Sequence, residues 1–342
     1  MTHPTRIFTD VDFEKNGKQV GWLYLPHSVT RSAYGNIAIP IAVIKNGSGP
    51  GVLFTAGNHG DEYEGQIALC KLVRTLEPGM IRGRVIVATA INLPAATAGT
   101  RVSPIDNVNF NRAFPGDPNG TPTSAIAHYV DSVLFPMVGH FVDLHSGGSS
   151  LDYTPFVSMR VSGDPALDAR AMRALTAFGA PVSMVWAHTL DAGFAQTAAL
   201  RRGLVSLGGE FGGGGSVSME GVRIVERGIR NVLGHVGCLE LDRTAEDASP
   251  STRIVEVRGR DYFVLAPDAG LFEPFVELGD IVQAGEPCGQ VHFVDDPGRA
   301  PVPAYFHASG TVFSKRHFGR VERGDCVAHL ATDWKGPSGP EP

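Results

Sequence analysis

Between Gly51 and Leu207 the chain alternates two kinds of apolar pattern, and this alternation restricts its fold more than any other feature. Gly51–Ala56 (GVLFTA), Arg84–Ile91 (RVIVATAI), Phe141–Leu144 (FVDL) and Leu204–Leu207 (LVSL) are short apolar runs of buried-strand length. Between them, Glu64–Leu76 carries a stripe of Ile67, Cys70, Leu72, Val73 and Leu76 at helical spacing, and Thr123–Val138 and Asp164–Phe178 also read as helices. Strands alternating with helices predict an α/β sheet with helices on both faces.

The flanks differ. Residues 20–48 read as short strands with turns, including Asn36–Ile44 (NIAIPIAVI) before the turn pair Asn46-Gly47. Beyond about residue 250 the strands are short and no helical stripe appears. There, Glu277–Val291 and Phe318–Leu330 share a rhythm of glycine, polar residue, valine and, soon after, glycine. Two such copies predict paired hairpins in a small β-barrel or sandwich. The rhythm resembles the biotinyl/lipoyl-like barrel-sandwich, but Glu286–Ser314 holds no lysine to carry a prosthetic group, which favours a structural module. The expected division is a strand-rich segment over 1–47 that joins the C-terminal module or the sheet edge, an α/β domain over 48–250 and a small β-module over 251–342.

The 342 residues suffice for one large domain with a small one, or for two of middling size. With 43% hydrophobic and 19% charged residues the composition is that of an ordinary globular enzyme. A net charge of −6 offers no basic stripe for nucleic acid. No apolar run approaches the roughly 18 residues that span a bilayer, and the polar start MTHPTRIFTDVDFEKNGK is unlike a signal peptide. Cys70, Cys238, Cys288 and Cys326 are far apart without a CxxC pair, which favours free thiols in a reducing cytoplasm over disulfides or a thiolate zinc site. The oligomeric state is left open, a homo-oligomer included.

Four short pieces, each placed after a predicted strand, carry the chemistry. In open α/β sheets sites form outside the carboxyl ends of the strands. The first is Gly57-Asn58-His59-Gly60-Asp61-Glu62, where a histidine and a glutamate three apart can meet one ion through donors that zinc accepts. The competing reading makes His59 a loop residue and Glu62 a helix-start charge. The second is Asp143-Leu144-His145-Ser146-Gly147-Gly148. His145 at its strand end would complete a two-histidine, one-glutamate set with a coordination position left for water, and Asp143, on the same strand face, would orient one of the histidines.

The third piece joins Arg101 to Asn109-Phe110-Asn111-Arg112-Ala113-Phe114-Pro115-Gly116. Asn111 and Arg112 suit a carboxylate, which a guanidinium binds bidentately, and Arg101 suits a developing oxyanion. The fourth is Gly208-Gly209-Glu210-Phe211 followed by four glycines, with Glu210 fit to take and return a proton. A phosphate-binding loop competes for this last piece, but the GxxxxGK[ST] spacing and its lysine are missing.

Taken together over about residues 48–245, these pieces resemble the succinylglutamate desuccinylase/aspartoacylase family of the zinc carboxypeptidase superfold. The resemblance implies a mixed sheet flanked by helices, one Zn²⁺ on His59, Glu62 and His145, Glu210 and Arg101 in catalysis, and a substrate carboxylate on Asn111 and Arg112. The family's usual DxNR-FPG wording stands here as NFNR-FPG, with Asn109 in place of the common aspartate. GNHGDEYEGQIAL, NFNRAFPG, LGGEFGGGG and the N-terminal GWLYLPHSVTRSAYGNIAIPI look like the branch that deacetylates N-α-acetyl-L-2,4-diaminobutyrate in ectoine breakdown. The resemblance thus implies a zinc amidohydrolase taking a short acyl group, acetyl above others, from a small N-acyl amino acid. A desuccinylase or aspartoacylase acting on another acyl amino acid, a small-peptide metallocarboxypeptidase, a binding protein that has lost activity, and Co²⁺ or Mn²⁺ in place of zinc are the alternatives. A serine or cysteine nucleophile is disfavoured, because no GxSxG elbow occurs.

Overall fold

The computed structural model describes residues 5–186, 192–240 and 252–336. In chain order the first half contains β1 (Phe8–Thr9), β2 (Gly17–Pro26), β3 (Asn36–Asn46), β4 (Gly51–Ala56), α1 (Glu64–Thr75), β5 (Gly83–Ala88), α2 (Leu93–Ala98), α3 (Pro122–Tyr129), β6 (His140–Leu144), β7 (Leu151–Tyr153) and β8 (Phe156–Arg160). There follow α4 (Pro165–Phe178), β9 (Val182–Trp186), α5 (Ala195–Arg201), β10 (Val205–Glu210), α6 (Met219–His235) and β11 (Arg253–Val257). The remainder is all β: β12 (Phe263–Leu265), β13 (Gly270–Pro274), β14 (Ile281–Val282), β15 (Pro287–His292), β16 (Val302–Tyr305), β17 (Gly310–Arg316), β18 (Arg320–Val321) and β19 (Cys326–Asp333).

Among the described residues, one long sheet runs in the order β1-β2-β3-β5-β4-β6-β10-β8-β9-β11-β19-β17-β14, with β12 alongside β19 and β7 alongside β17. Its centre is mixed: β4, β5, β6 and β10 pair parallel, whereas β3 against β5 and β8 against β10 are antiparallel. The period of two along each strand makes the two cores. Val52 and Phe54, Val85 and Val87, and Val142 and Leu144 join one core beneath α1, α4 and α6. Leu53, Ile86 and Phe141, one residue out of phase, join the other beneath α2, α3 and α5. The strands are apolar on both faces because both faces are covered, and each fully buried Val, Leu, Ile or Phe contributes roughly 1.5–3 kcal/mol. The expected α/β sheet with helices on both faces is therefore observed.

Two expected helices differ in detail. In α1 the core face is Gly65, Ala68, Leu69 and Leu72, and Cys70 of the expected stripe is exposed. The rotation follows from Gly65, which lies so close to β6 that a Cβ there would sit 2.6 Å from that of Leu144. The expected helix over 123–138 is broken into α3, a π-turn over Val130–Leu134 and a 3-10 turn over Phe135–Met137. Pro136 has no amide hydrogen for the helical ladder, so the chain tightens and stops there.

β1, β2 and β3 extend the sheet beyond β5. At the other end β11 continues the sheet beside β9, and β19, β17 and β12 curl over a separate sheet of order β16-β15-β13-β18. Phe272, Val291, Phe306, Val312, Phe313 and Leu330 fill the space between these layers. Each copy of the sequence rhythm is a two-residue strand (β14, β18), a turn through Gly285 or Gly324 at φ 88° or 92°, and a longer strand (β15, β19). The expected boundary at 250/251 lies outside the described residues. No helix among the described residues is long and apolar enough to cross a membrane.

Candidate metal centre and active site

β4 ends at Ala56 and the chain must turn at once to begin α1. Gly57 makes that turn at φ 64°, and Gly60 passes so close to α2 that a Cβ would lie 1.9 Å from the Ala95 carbonyl oxygen. Only glycine fits there, and the close approach also lets Gly60 N donate to Thr100 O (2.8 Å), next to Arg101. The turn buries His59 and Glu62, 3% exposed each, side by side.

His145 arrives from the neighbouring strand. Its backbone continues β6 against β10, with His145 N donating to Gly209 O and Phe211 N to His145 O, so His145 and Glu210 lie opposite one another. Glu62 meets both imidazoles: Oε1 is 2.6 Å from His59 Nδ1 and Oε2 is 2.8 Å from His145 Nδ1. One donor atom from each of the three residues lies within 4.8 Å of the others. The outward nitrogens are also engaged, His145 Nε2 by Asp143 Oδ2 (2.9 Å) and His59 Nε2 by Asn109 Oδ1 (3.2 Å). Asp143 is itself held by Thr55 Oγ1 (2.6 Å) and Asn58 Nδ2 (3.0 Å). Convergent inner donors with oriented outer nitrogens are what a zinc-type ion requires of histidine ligands, so this set fits a metal.

Electrostatics follow from the packing. Burial alone would lower the His145 imidazole, but Asp143 and Glu62 raise it well above its ordinary value. At His59 burial prevails and lowers the imidazole despite Glu62. Burial would raise the Glu62 carboxyl, yet the two histidines hold it far below the usual carboxylate range.

Glu210, at the end of β10, is pushed well up by burial and then by the charge of Glu62, with His145 and Arg101 opposing. Among the described residues its Oε2 has no hydrogen-bond partner. Arg101 reaches the same spot from the loop after α2, with Nη1 3.5 Å from Glu62 Oε1 and 3.4 Å from His59 Nδ1. That loop does not directly follow a strand, unlike the expectation; α2 intervenes, and the Gly60–Thr100 contact carries Arg101 back to the site.

Asn111 and Arg112 lie in a short 3-10 turn over Phe110–Arg112, started by Asn109 accepting from Asn111 N. Asn111 Oδ1 accepts from Ala195 N (2.9 Å) at the start of α5, which leaves its amino group to donate. The Arg112 guanidinium lies 4.0 Å from the centre of the Phe194 ring. His59, His145, Arg101, Asn111, Arg112 and Glu210 all line one cleft of about 440 Å³. Glu62 lies buried behind it.

Several cleft residues were not foreseen: Tyr153, Phe156, Ser158 and Arg160 from β7 and β8, Trp186, Phe194 and Gln196, and Phe263 from the C-terminal part. A signal existed in β8. FVSMR alternates Val157 and Met159, which enter the core under α4, with Phe156, Ser158 and Arg160, which face the cleft.

The site defines the class. The catalytic-domain model of succinylglutamate desuccinylases and aspartoacylases matches residues 48–236, and the chain belongs to this family. The chain is 40% identical over 328 residues to the N-α-acetyl-L-2,4-diaminobutyric acid deacetylase of Halomonas elongata, covering 96% of this chain and 95% of that one. Among solved structures it is similar to a succinylglutamate desuccinylase/aspartoacylase from Rhodobacter sphaeroides, with 46% identity, a TM-score of 0.90, and 96% and 100% of the two chains covered. It is also similar to the product-bound ectoine utilization protein EutE (DoeB) of Ruegeria pomeroyi, with 40% identity, a TM-score of 0.92, and 96% and 99% covered. The chain is thus a hydrolase of this family.

Proposed function

We propose that the chain is a zinc-dependent deacylase that hydrolyses N-α-acetyl-L-2,4-diaminobutyrate to acetate and the free diamino acid, and that it works in the cytoplasm. The observation that carries the reading is the meeting of His59, Glu62 and His145 beside Glu210 in a cleft also lined by Arg101, Asn111 and Arg112. The acetyl group and the amino acid are supported by the activity named for the Halomonas elongata relative. Four cysteines without a disulfide suit a reducing compartment.

His59, Glu62 and His145 would hold the metal; zinc, when bound, supplies a Lewis acid that lowers the pKa of water and polarises a carbonyl. Glu210 takes the proton of the attacking water and returns it to the departing amine, so water adds across the amide as acetate and amine separate. A raised carboxyl is a stronger base toward the water's proton, and it can still pass that proton on because the departing amine is more basic than a carboxylate. Arg101 faces the oxygen that gains charge. Asn111 and Arg112 bind the α-carboxylate and thereby select which amide reaches Glu210.

The test is amine release from N-α-acetyl-diaminobutyrate, N-acetylaspartate, succinylglutamate and a tripeptide, with and without chelator. Chelator-sensitive release from the first alone supports the reading. Release from another acyl amino acid moves the substrate and keeps the chemistry, and release from the tripeptide turns the reading to a carboxypeptidase.

A further inference from the structure

β8 carries a charged residue that nothing in the catalytic scheme uses. Phe156, Ser158 and Arg160 share one face of the strand, and all three line the cleft. The register sets Phe156 opposite Glu210 on β10 and Arg160 opposite Trp186 on β9. The row therefore runs from the level of Glu210 to that of Trp186. Arg160 is 8% exposed, and a guanidinium keeps its charge at such burial.

Its placement relative to Arg112 is the informative part. The guanidinium carbon of Arg160 lies 4.4 Å from the Phe194 ring centre, that of Arg112 lies 4.0 Å from the same centre, and Arg160 is also 5.6 Å from the Trp186 ring. The two guanidinium groups can be no farther apart than the first two distances laid end to end. A carboxylate taking a charge-assisted hydrogen bond from each of two guanidiniums separates their carbons by roughly 8 Å. One carboxylate at the edge of Phe194 can thus reach both. Two more groups of the cleft lining can donate: Asn111 spends its carbonyl on Ala195 N and keeps its amino group, and Ser158 has a hydroxyl.

We propose that Arg160 is a second carboxylate-binding arginine, which grips the substrate's α-carboxylate together with Arg112 across the edge of Phe194. The proposal rests on the deacylase reading above and adds to it a strict demand for a free carboxylate beside the scissile amide. Phe194 and Trp186 hold the guanidinium plane by stacking, so the fork is oriented before substrate arrives.

The test compares N-α-acetyl-diaminobutyrate with its α-carboxamide in the zinc-loaded wild-type enzyme and in R160Q and R160K. Loss of one charge-assisted contact should raise KM for the carboxylate substrate by roughly tenfold or more in R160Q. kcat should stay within about threefold, and KM for the carboxamide should not change. R160K keeps the charge without the fork and should fall between. A rise in KM of equal size on both substrates would show a packing role and overturn the proposal, as would an unchanged KM on the carboxylate. If the wild type releases no amine from the acetyl substrate, the deacylase reading fails separately. Calorimetric titration of both compounds into wild type and R160Q then decides Arg160: a carboxylate preference lost in the variant supports it, and one kept in the variant or absent from the wild type sinks it.

Discussion

Single residues make this site through closeness as much as through charge. Gly60 has space for a hydrogen and nothing larger beneath Ala95. Replacing it with alanine should cost on the order of 1–3 kcal/mol through overpacking, and it should displace His59, so that melting temperature and bound metal fall together. A variant that melts lower with full metal content would show the turn to be structural only. Glu210→Gln removes the group that moves the proton and leaves the His59, Glu62 and His145 donors in place. Metal content should hold while kcat drops by about 10²–10⁴-fold, the usual worth of a positioned acid-base group. Retained turnover would take Glu210 out of the proton transfer.

At the scale of elements, propensity and capping decide where the scaffold begins and ends. α4 starts at Pro165 because Asp164 accepts from Ala166 N and Leu167 N, and stops at Gly179, which is left-handed at φ 74°. Asp164→Ala should cost about 1 kcal/mol with kcat unchanged, since Asp164 does not line the cleft, and Asp164→Asn should restore most of the loss. A denaturation midpoint equal to wild type in the alanine variant would show the cap to be redundant. This boundary was legible in the sequence because every signal for it is local, and so were the strand ends carrying His59, His145 and Glu210. The face of α1 was not, because the approach of Gly65 to Leu144 couples positions 79 residues apart and turns Cys70 outward. β8 was missed for a similar reason: an arginine and a serine alternating with apolar residues resemble any half-exposed strand until Glu210 and Trp186 are set beside them. Asn109, noted in the sequence only as a departure from the common aspartate, gains its meaning from the 3.2 Å contact with His59.

Across the whole molecule the C-terminal strands of the long sheet and the catalytic cleft share a wall, and a buried histidine lies behind it. We propose the division into 1–47, 48–250 and 251–342 as units of sequence, yet their strands interlock: β7 pairs with β17, β9 with β11, and Phe263 of β12 lines the cleft. His329 on β19 stacks between these parts, 4.5 Å from the Phe263 ring, 5.7 Å from Trp186 and 6.4 Å from Tyr153. Neither of its ring nitrogens has a hydrogen-bond partner among the described residues, and burial holds its imidazole down at about 3. In the unfolded chain it titrates near 6.5, so below that pH the unfolded state binds a proton that the folded state refuses. Stability therefore falls from pH 6.5 toward 3, by up to about 1.4 kcal/mol per pH unit from this one group. His140, lowered to about 4 by burial and by Arg170 and His235, acts in the same sense, whereas His145, held up by Asp143 and Glu62, acts in the opposite one. Both remain in a His329→Leu variant, so the difference between its stability curve and that of wild type isolates His329. The variant should match or exceed wild type at neutral pH, where an unpartnered polar ring is exchanged for an apolar side chain of similar size. Its advantage should then widen steadily as the pH falls, as read by urea denaturation at a series of pH values. Parallel curves for the two proteins would mean that water or a rearranged wall satisfies the imidazole, and that the rings around it do not keep it neutral.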